Sequence, residues 1–475
     1  MTKFNRNATG ITFNHEGHQA YRMDDMTRLV TQVLTSFFNE EKFYGDNSEE
    51  LKDTLKRMIS EDAEFVSKLA VYARREFNMR SVSHVLTAYL AHELKGKEYV
   101  RKTLSGVCLR GDDVTEIMAF YLSEFGKPVP NSLKKGINDV IQTFDEYTLA
   151  KYKGDGKSVS MRDILRMTRP TPLDDDQSKM WKRCVEGTLE TPLTWETELS
   201  AHGNNKKTWT DLIDSGKVGY MALLRNLRNI LNADPDNISK VYERIENPDA
   251  VRRSRQLPFR YLSAYKNLPA NAGTRVRDVL ENAAMASIAN IPKLKGTSVI
   301  AIDTSGSMSR PVSADSQIRC AEIAALLGMI ANQICDDAVV FTFDNVCRDV
   351  NVSHHSGILE SAIRTANATG GTDMSLPFEK MMRDGIRADR IVIISDNECN
   401  SPWRRPVQEY ADMYRRHTGI DLWVHAIDIQ GYGTQQFRGA KTNIIAGWSE
   451  KVFEFINLAE EGTSSLTDRI RGYIW

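Results

Sequence analysis

The segment TSVIAIDTSGS at residues 297–307 decides the fold of the C-terminal part of the chain. Residues 297–302 are mostly apolar or β-branched, which is typical of a buried parallel strand. The strand ends in Asp303, and Ser305 and Ser307 follow at alternating positions around Gly306. Since alternate side chains can converge where the chain turns tightly, we expect one carboxylate and two hydroxyls to face a common point.

The pattern of the first strand is repeated further along the chain. Strands are predicted at residues 338–343, 390–395 and 422–427, and helices at residues 317–334, 358–366 and 405–416. This alternation predicts an open, doubly wound α/β sheet. Ligands of such sheets lie beyond the carboxyl ends of the strands, so the strand ends at Asp303 and Asp396 are the candidate site.

Oxygen donors for a metal are available at three places on this predicted sheet edge. Besides the turn after Asp303, the GGTD loop at residues 370–373 offers Thr372, and the strand before Asp396 delivers a second carboxylate. Carboxylates and hydroxyls with few charges favour Mg²⁺ with retained water, or another hard divalent cation, over Zn²⁺.

The combination of DxSxS, GGTD and ISDNE resembles the metal-ion-dependent adhesion site of a von Willebrand factor A domain. In domains of this kind the metal commonly keeps one coordination position open for an acidic residue of a partner. The resemblance implies that the metal is held, in part through water, by Asp303, Ser305, Ser307, Thr372 and Asp396.

Residues before Pro292 follow a different pattern, in which helix follows helix with little strand signal. Apolar residues recur at helical spacing in residues 26–38 and 114–122, for example, and the connections are short and polar. Many short helices joined in this way predict an α-solenoid or a similar all-helical stack. No strict period is present, so any repeat is degenerate.

The segment from Pro130 to Pro170 is the most informative part of the helical region. Ser160 and Asp163 predict a capped helix start, and three arginines follow at helical spacing. A helix N-terminus, a row of guanidinium groups and Tyr152 together favour a phosphate and single-strand platform, although a solvated helix face is the alternative. The basic residues of the segment are Lys134, Lys135, Lys151, Lys153, Lys157, Arg162, Arg166 and Arg169.

The run LAKYKGDGKSVSMRDILRMTRPTP at residues 149–172 resembles the signature of the TROVE module of the Ro ribonucleoprotein autoantigen family. The segments NHEGHQAYRMDD, AVYARREFNMRSVSHV, GYMALLRNLRNI and SRQLPFRYLSAYKNLP agree with it. A helical module followed by a von Willebrand module is the order found in Ro-like proteins, including those of bacteria or phage.

The resemblance implies a HEAT-like helical-repeat ring at residues 1–290, closed by a von Willebrand factor A domain at residues 291–475. It also implies a ribonucleoprotein scaffold in RNA quality control, which binds small noncoding Y-like RNA and single-stranded 3′ ends of misfolded RNA. An exoribonuclease could be tethered through the Y-like RNA. Arg169 stands where relatives have a histidine, which should keep phosphate binding but lose any imidazole-specific contact.

From these segments we predict an RNA-binding surface in the helical region, and by position Lys151 resembles a lysine that family members use for RNA. The predicted RNA-binding residues are Lys134, Lys135, Lys151, Lys153, Arg162, Arg166 and Arg169.

Charge and composition agree with a cytoplasmic monomer that binds neither DNA nor a membrane. The net charge is −1, but residues 1–290 carry +3 and residues 291–475 carry −4, so an anionic partner would prefer the first part. The six cysteines form no CxxC pair and read as buried thiols of a reducing compartment. The sequence has neither an N-terminal signal peptide nor an apolar run long enough to span a bilayer.

Two rival functions remain open at this point. The near-neutral helical region allows an RNA-independent protein-interaction scaffold, in which the metal grips an acidic partner. A metal-dependent hydrolase using Asp303 and Asp396 is the weaker rival. The sequence has no GxSxG elbow and no Walker A motif, so we predict no enzymatic activity.

Overall fold

The fold is taken from a computed structural model that describes residues 10–14, 16–35, 49–94, 99–190, 192–312, 316–352, 357–401, 404–432, 434–447, 450–462 and 466–475. The chain forms two compact units. One combines residues 25–192 with residues 466–475, and the other combines residues 1–24 with residues 193–465. No helix in the described ranges is long and apolar enough to cross a membrane.

The first unit, residues 25–192 with 466–475, is built from helices. Helix Ser81–Leu94 is buried on nearly all sides, because it packs against helices on several of its faces. The helices of this unit are Asp25–Thr35, Glu49–Glu76, Ser81–Leu94, Tyr99–Val107, Asp113–Phe125, Asn131–Ile141, Glu146–Lys151, Met161–Thr168, Asp175–Glu186 and Leu466–Arg471.

The C-terminal segment Leu466–Trp475 packs on the first helices of this unit. Arg471 forms an ion pair with Asp62 at 2.8 Å, where the long helix Glu49–Glu76 departs from helical geometry. The ring of Trp475 stacks on that of Tyr99, with centroids 6.1 Å apart. The chain therefore returns to the helical unit after its last strand, which the sequence pattern did not indicate.

In its described ranges, the second unit, residues 1–24 with 193–465, combines helices with two sheets. Its helices before residue 290 are Trp195–His202, Lys206–Asp214, Tyr220–Arg225, Leu227–Ala233, Ile238–Glu246, Pro248–Ser254, Pro258–Lys266 and Thr274–Ile288. The helices after residue 290 are Cys320–Ile334, Ile358–Thr365, Leu376–Arg383, Val407–Thr418 and Glu454–Glu460, with short 3₁₀ turns at Gly306–Ser309 and Glu450–Phe453.

Among the residues that the structure describes, the larger sheet of this unit has six strands. In spatial order they are Cys347–Asp349, Cys335–Phe343, Leu294–Asp303, Arg390–Ser395, Trp423–Asp428 and Thr442–Ala446. All neighbours are parallel except the first pair, which is antiparallel. Helix Cys320–Ile334 approaches the central strand closely, because Gly328 has no side chain to meet Ile300 and Ile302.

The predicted fold class is confirmed, since helices fill the first part of the chain and strands alternate with helices after Leu294. The strands at residues 297–303, 338–343, 390–395 and 422–427 are all present, extended or shifted by up to three residues. The structure adds helix Leu376–Arg383 and the edge strands Cys347–Asp349 and Thr442–Ala446. Their short or polar sequences carry too little periodicity to be recognised alone.

The expectation of little strand near the N-terminus needs a correction. Strands Ile11–Phe13 and Gln19–Arg22 form an antiparallel hairpin, and the second of them pairs with Thr434–Gln435 to complete a three-stranded sheet. The hairpin was missed because its pairing partner lies more than 400 residues away in sequence. The predicted domain boundary between residues 290 and 291 stays a prediction.

Candidate metal centre and basic surface

The two acidic strand ends lie side by side at the carboxyl edge of the large sheet. Strands Leu294–Asp303 and Arg390–Ser395 are parallel neighbours, with Ile302 opposite Ile394. Asp303 ends the first strand and Asp396 directly follows the second, so their register brings both carboxylates to one edge. Both residues are buried, at 0% and 1% exposure.

The turn after the first strand places its hydroxyls around the carboxylate of Asp303. One oxygen of Asp303 accepts the backbone N–H of Ser305 at 2.8 Å, and the other accepts the hydroxyl of Ser395 at 2.6 Å. The hydroxyls of Ser305 and Ser307 lie 3.1 Å apart. The structure therefore brings together the alternate serines that the sequence placed at one point.

The GGTD loop is tied to both acidic segments by backbone hydrogen bonds. The N–H of Gly306 donates to the carbonyl of Gly370 at 2.9 Å, which joins this loop to the serine turn. The backbone of Thr372 bonds twice with Asn400: its N–H donates to Oδ1 at 2.7 Å, and its carbonyl accepts the Asn400 N–H at 3.0 Å. Buried Thr372 therefore sits at the same edge as Asp303.

Electrostatics at this edge favour a bound cation. Burial, together with the charge of Asp396, raises the pKa of Asp303 to about 7. Burial also raises the pKa of Asp396, although a hydrogen bond from Ser307 opposes the change. A divalent cation between the two carboxylates would offset their repulsion and their loss of hydration.

The donor set also fits the chemistry of such a cation. Two carboxylates and three hydroxyls are hard oxygen ligands of the kind Mg²⁺ takes. Within the described residues no cluster of three or more His, Cys, Asp or Glu side chains offers a metal site. The candidate site contains two acids, and its other donors are hydroxyls. The residues that could hold the metal are Asp303, Ser305, Ser307, Thr372 and Asp396.

Two neighbouring side chains have other roles or lie at the rim. Asp373 forms an ion pair with Arg404 at 2.7 Å and accepts the N–H of Ser375 at 3.0 Å, so its carboxylate is used within the loop. Exposed Arg310 donates to the hydroxyl of Tyr432 at 3.1 Å and carries its positive charge close to Asp396.

The predicted RNA-binding residues lie in the helical unit, and the structure groups one of them with aromatic rings. Lys151 ends helix Glu146–Lys151, and its ammonium lies 5.4 Å from the ring centre of Tyr147 and 5.6 Å from that of Tyr152. The guanidinium of Arg110 lies 5.4 Å from the ring centre of the same Tyr152. We call these four residues, Arg110, Tyr147, Lys151 and Tyr152, the cation–aromatic cluster.

Arg110 was not predicted, since its turn carries no helical pattern. Its position is set by Asp113, which accepts the N–H groups of Leu109 at 2.9 Å and Arg110 at 2.8 Å. Asp113 is also bound by Arg80 at 2.6 Å and His84 at 3.1 Å. Burial alone would raise its pKa, but these partners hold the pKa of Asp113 well below its usual value.

Two lysines of the following loop have carboxylate partners. Lys153 pairs with Asp155 at 2.9 Å, and Lys157 pairs with Glu116 at 2.8 Å. Lys151, by contrast, has no carboxylate partner in the part of the chain that the structure describes. Of these three lysines, Lys151 is therefore the one whose charge is most available to an anion.

The remaining predicted residues occupy two helices of the same unit. Lys134, half-buried, and Lys135, exposed, lie on helix Asn131–Ile141. Helix Met161–Thr168 has the predicted capping box of Ser160 and Asp163. Its arginines Arg162 and Arg166 are half-buried and exposed, and Arg169 follows as an exposed C-cap with φ 49°. In the part of the chain that the structure describes, no side-chain hydrogen bond or ion pair joins these residues to the cation–aromatic cluster.

Comparison with known families decides the relationship. A model of the TROVE domain matches residues 18–191 and 187–304. The chain belongs to the TROVE family. A model of the Ro60 vWA domain matches residues 297–457 of this TROVE-family chain, which covers all five candidate metal ligands.

Individual relatives agree with this family. RNA-binding protein RO60 of Deinococcus radiodurans is 24% identical over 449 residues, covering 81% of this chain and 83% of that protein. Telomerase protein component 1 of Rattus norvegicus is 26% identical over 326 residues, covering 50% of this chain but only 12% of that much longer protein. The same protein of Mus musculus is 25% identical with the same coverage.

A solved structure shows the same fold. The crystal structure of the Deinococcus radiodurans RO (RSR) protein superposes with a TM-score of 0.64 at 20% sequence identity, covering 93% of this chain and all of the other. At this identity the likeness establishes the fold of the TROVE-family chain. Its binding properties have to be argued from its own residues.

Proposed function

We propose that the protein binds RNA through the cation–aromatic cluster and serves as the scaffold of a ribonucleoprotein. The observation that carries the proposal is the alternation of Arg110, Tyr152, Lys151 and Tyr147, in which each cation lies against a ring. Aromatic faces stack on unpaired bases, and the cations neutralise the phosphates between them. Tyr147 is 48% exposed, so its ring is accessible to a base.

The RNA that fits this surface best is a small noncoding RNA with exposed single-stranded parts. We propose a Y-like RNA and the single-stranded 3′ ends of misfolded RNA as its partners. The basic residues Lys134, Lys135, Arg162, Arg166 and Arg169 would add phosphate contacts along neighbouring helices. The relative named RNA-binding protein RO60, which aligns over most of both chains, supports this proposal. An exoribonuclease would be recruited through the RNA.

We further propose that Asp303, Ser305, Ser307, Thr372 and Asp396 hold Mg²⁺. Their common sheet edge, burial and oxygen chemistry support it. The metal would supply a Lewis-acidic position for an anionic group of a partner. Asp303 and Asp396 would orient this position, and the serine turn would exclude bulk water from the buried side. The role we propose is adhesion, with no covalent step.

A rival function is favoured by one observation at the metal edge. Arg310 adds an exposed positive charge beside Asp396, which suits an acidic protein partner. A scaffold that binds protein through the metal and needs no RNA would use this edge alone. The two functions differ in which substitutions matter, because the cation–aromatic cluster and the metal edge lie in different compact units.

The deciding experiment is to purify the protein from its native cells in gentle salt and to sequence the RNA that accompanies it. We expect a discrete small RNA at near one-to-one ratio, and we expect it to be lost from a Lys151→Ala, Arg169→Ala double variant that remains folded. Recovery of a protein partner without RNA above background would reject the RNA-binding proposal in favour of the scaffold.

A further inference from the structure

The loop Asp396–Asn400 controls two of the candidate metal ligands. Asp396 begins it, directly after the strand, and Asn400 ends it. The side chain and backbone of Asn400 bond the N–H and carbonyl of Thr372 at 2.7 and 3.0 Å. Any shift of this loop would therefore move a carboxylate ligand and a hydroxyl ligand together.

The conformation of this loop depends on groups outside it. Asn397 has a φ of 60°, in the left-handed region that costs a non-glycine residue free energy and persists only where its surroundings hold it. Two carbonyls of the loop accept side-chain amides from elsewhere. Gln436 donates to Asn397 at 3.1 Å, and Asn14 donates to Cys399 at 2.7 Å.

Both amide donors directly follow strands of the small three-stranded sheet. Asn14 lies in the turn of the N-terminal hairpin, and Gln436 directly follows the strand Thr434–Gln435 that pairs with that hairpin. The two donors are buried, at 6% and 1% exposure. The small sheet therefore contacts the metal-site loop through hydrogen bonds that are shielded from water.

Asn14 uses both ends of its amide. Its Oδ1 accepts the N–H of His18 at 2.8 Å, which closes the hairpin turn, and its Nδ2 donates to the Cys399 carbonyl. Asn400 acts on Thr372 through the opposite atom, since its Oδ1 accepts the backbone N–H. The two asparagines thus need different chemical groups, a donor at position 14 and an acceptor at position 400.

We propose that Asn14 and Asn400 are positioning residues of the metal site, so that the N-terminal hairpin at residues 11–22 is part of that site although it precedes the helical region in sequence. The inference rests on the proposed Mg²⁺ site. Neither residue contacts the metal. Asn400 sets the position of Thr372, and Asn14 holds the loop that carries Asp396. Groups that orient metal ligands commonly change affinity about 10–100-fold when removed.

The test compares alanine and aspartate at each position in the full chain, with Mg²⁺ affinity measured by isothermal titration calorimetry. Asn400→Ala should weaken binding about 10–100-fold, whereas Asn400→Asp keeps the acceptor and should bind at least as tightly as wild type. Asn14→Ala should also weaken binding, and Asn14→Asp should not restore it because a carboxylate cannot donate to Cys399. Thr12→Ala, in the same hairpin, is the matched control and should bind normally.

The melting temperature of each metal-free variant separates positioning from folding. A purely structural role would lower that temperature and leave Mg²⁺ affinity unchanged in the folded range, which would overturn the inference. Equal affinity in all variants would overturn it as well. If Asn14→Ala does not fold, the contrast between Asn400→Ala and Asn400→Asp decides. Wild-type protein that binds no Mg²⁺ would instead reject the proposed metal site itself.

Discussion

Replacing Lys151 with alanine should weaken the binding of single-stranded RNA and should also reduce the dependence of that binding on salt concentration. A lysine that neutralises one phosphate of a single strand contributes about 0.7 to the slope of log K against log salt. Its loss should therefore cost about fivefold in affinity at 0.1 M salt, and about threefold at 0.2 M. We expect the full loss of one phosphate contact, because Lys151 contacts the rings of Tyr147 and Tyr152 and has no carboxylate partner in the described ranges.

Lys157→Ala is the matched control. Lys157 is similarly exposed but already pairs with Glu116 at 2.8 Å, so RNA must compete with that carboxylate for it. Its replacement should change the affinity less than about twofold and the slope by less than about half of the Lys151 value. The two substitutions lie six residues apart and remove the same charge. A difference in RNA affinity between the two variants therefore cannot be explained by net charge.

Fluorescence anisotropy with a labelled single-stranded RNA, titrated at four salt concentrations, measures both quantities. Circular dichroism at each salt concentration checks that the variants stay folded. Equal slopes for Lys151→Ala, Lys157→Ala and wild type would refute the reasoning, since Lys151 would then make no phosphate contact. Equal losses in both lysine variants would show that ion pairing within the protein does not govern RNA binding.

Three further outcomes are expected. Asp303→Ala should abolish Mg²⁺ binding in calorimetry and leave RNA affinity unchanged; loss of both would mean that the metal site maintains the RNA site. Arg169→Gly should raise the unfolding free energy by about 0.5–1 kcal/mol, because its left-handed C-cap suits glycine, while anisotropy shows weaker RNA binding. Glu460→Ala should cost about 3 kcal/mol in urea unfolding, against little for exposed Glu461→Ala, because Arg390 loses its paired carboxylate. Burial alone would raise the pKa of Glu460, but its hydrogen bonds with Arg390 and His425 lower the pKa to about 2, below the usual value near 4.3. The stability that Glu460 contributes is therefore present above pH ~4.3 and is lost as the pH falls toward 2. As the pH falls through that range, the Glu460→Ala variant should therefore lose less stability than the wild-type protein.

Local pattern was enough to predict most of the regular structure. Strand Leu294–Asp303 and its parallel neighbours have apolar, β-branched sequences that match a sheet covered on both faces. The capping box of Ser160 and Asp163 was likewise readable, because both partners lie within one helical turn. In each case the residues that specify the structure are close together in sequence.

Contacts between distant segments were not readable. Ile11 and Phe13 are exposed, at 58% and 66%, so their strand shows no buried face to mark it. Its neighbour pairs with Thr434–Gln435, and Asn14 contacts Cys399, 385 residues further on. Arg110 is an ordinary polar turn residue until Asp113 fixes the turn beside Tyr152.

The sequence by itself determined the order of most helices and strands, and it predicted the family and the five oxygen donors of the candidate metal site, because each depends on residue type and spacing within short motifs. Only the tertiary structure decided which of those groups are buried together and which residues hold them in position. It also decided that, among the described residues, Lys151 has no carboxylate partner while Lys153 and Lys157 are paired. The physical reason is that charge pairing and burial are set by distances in space, which spacing along the chain does not fix.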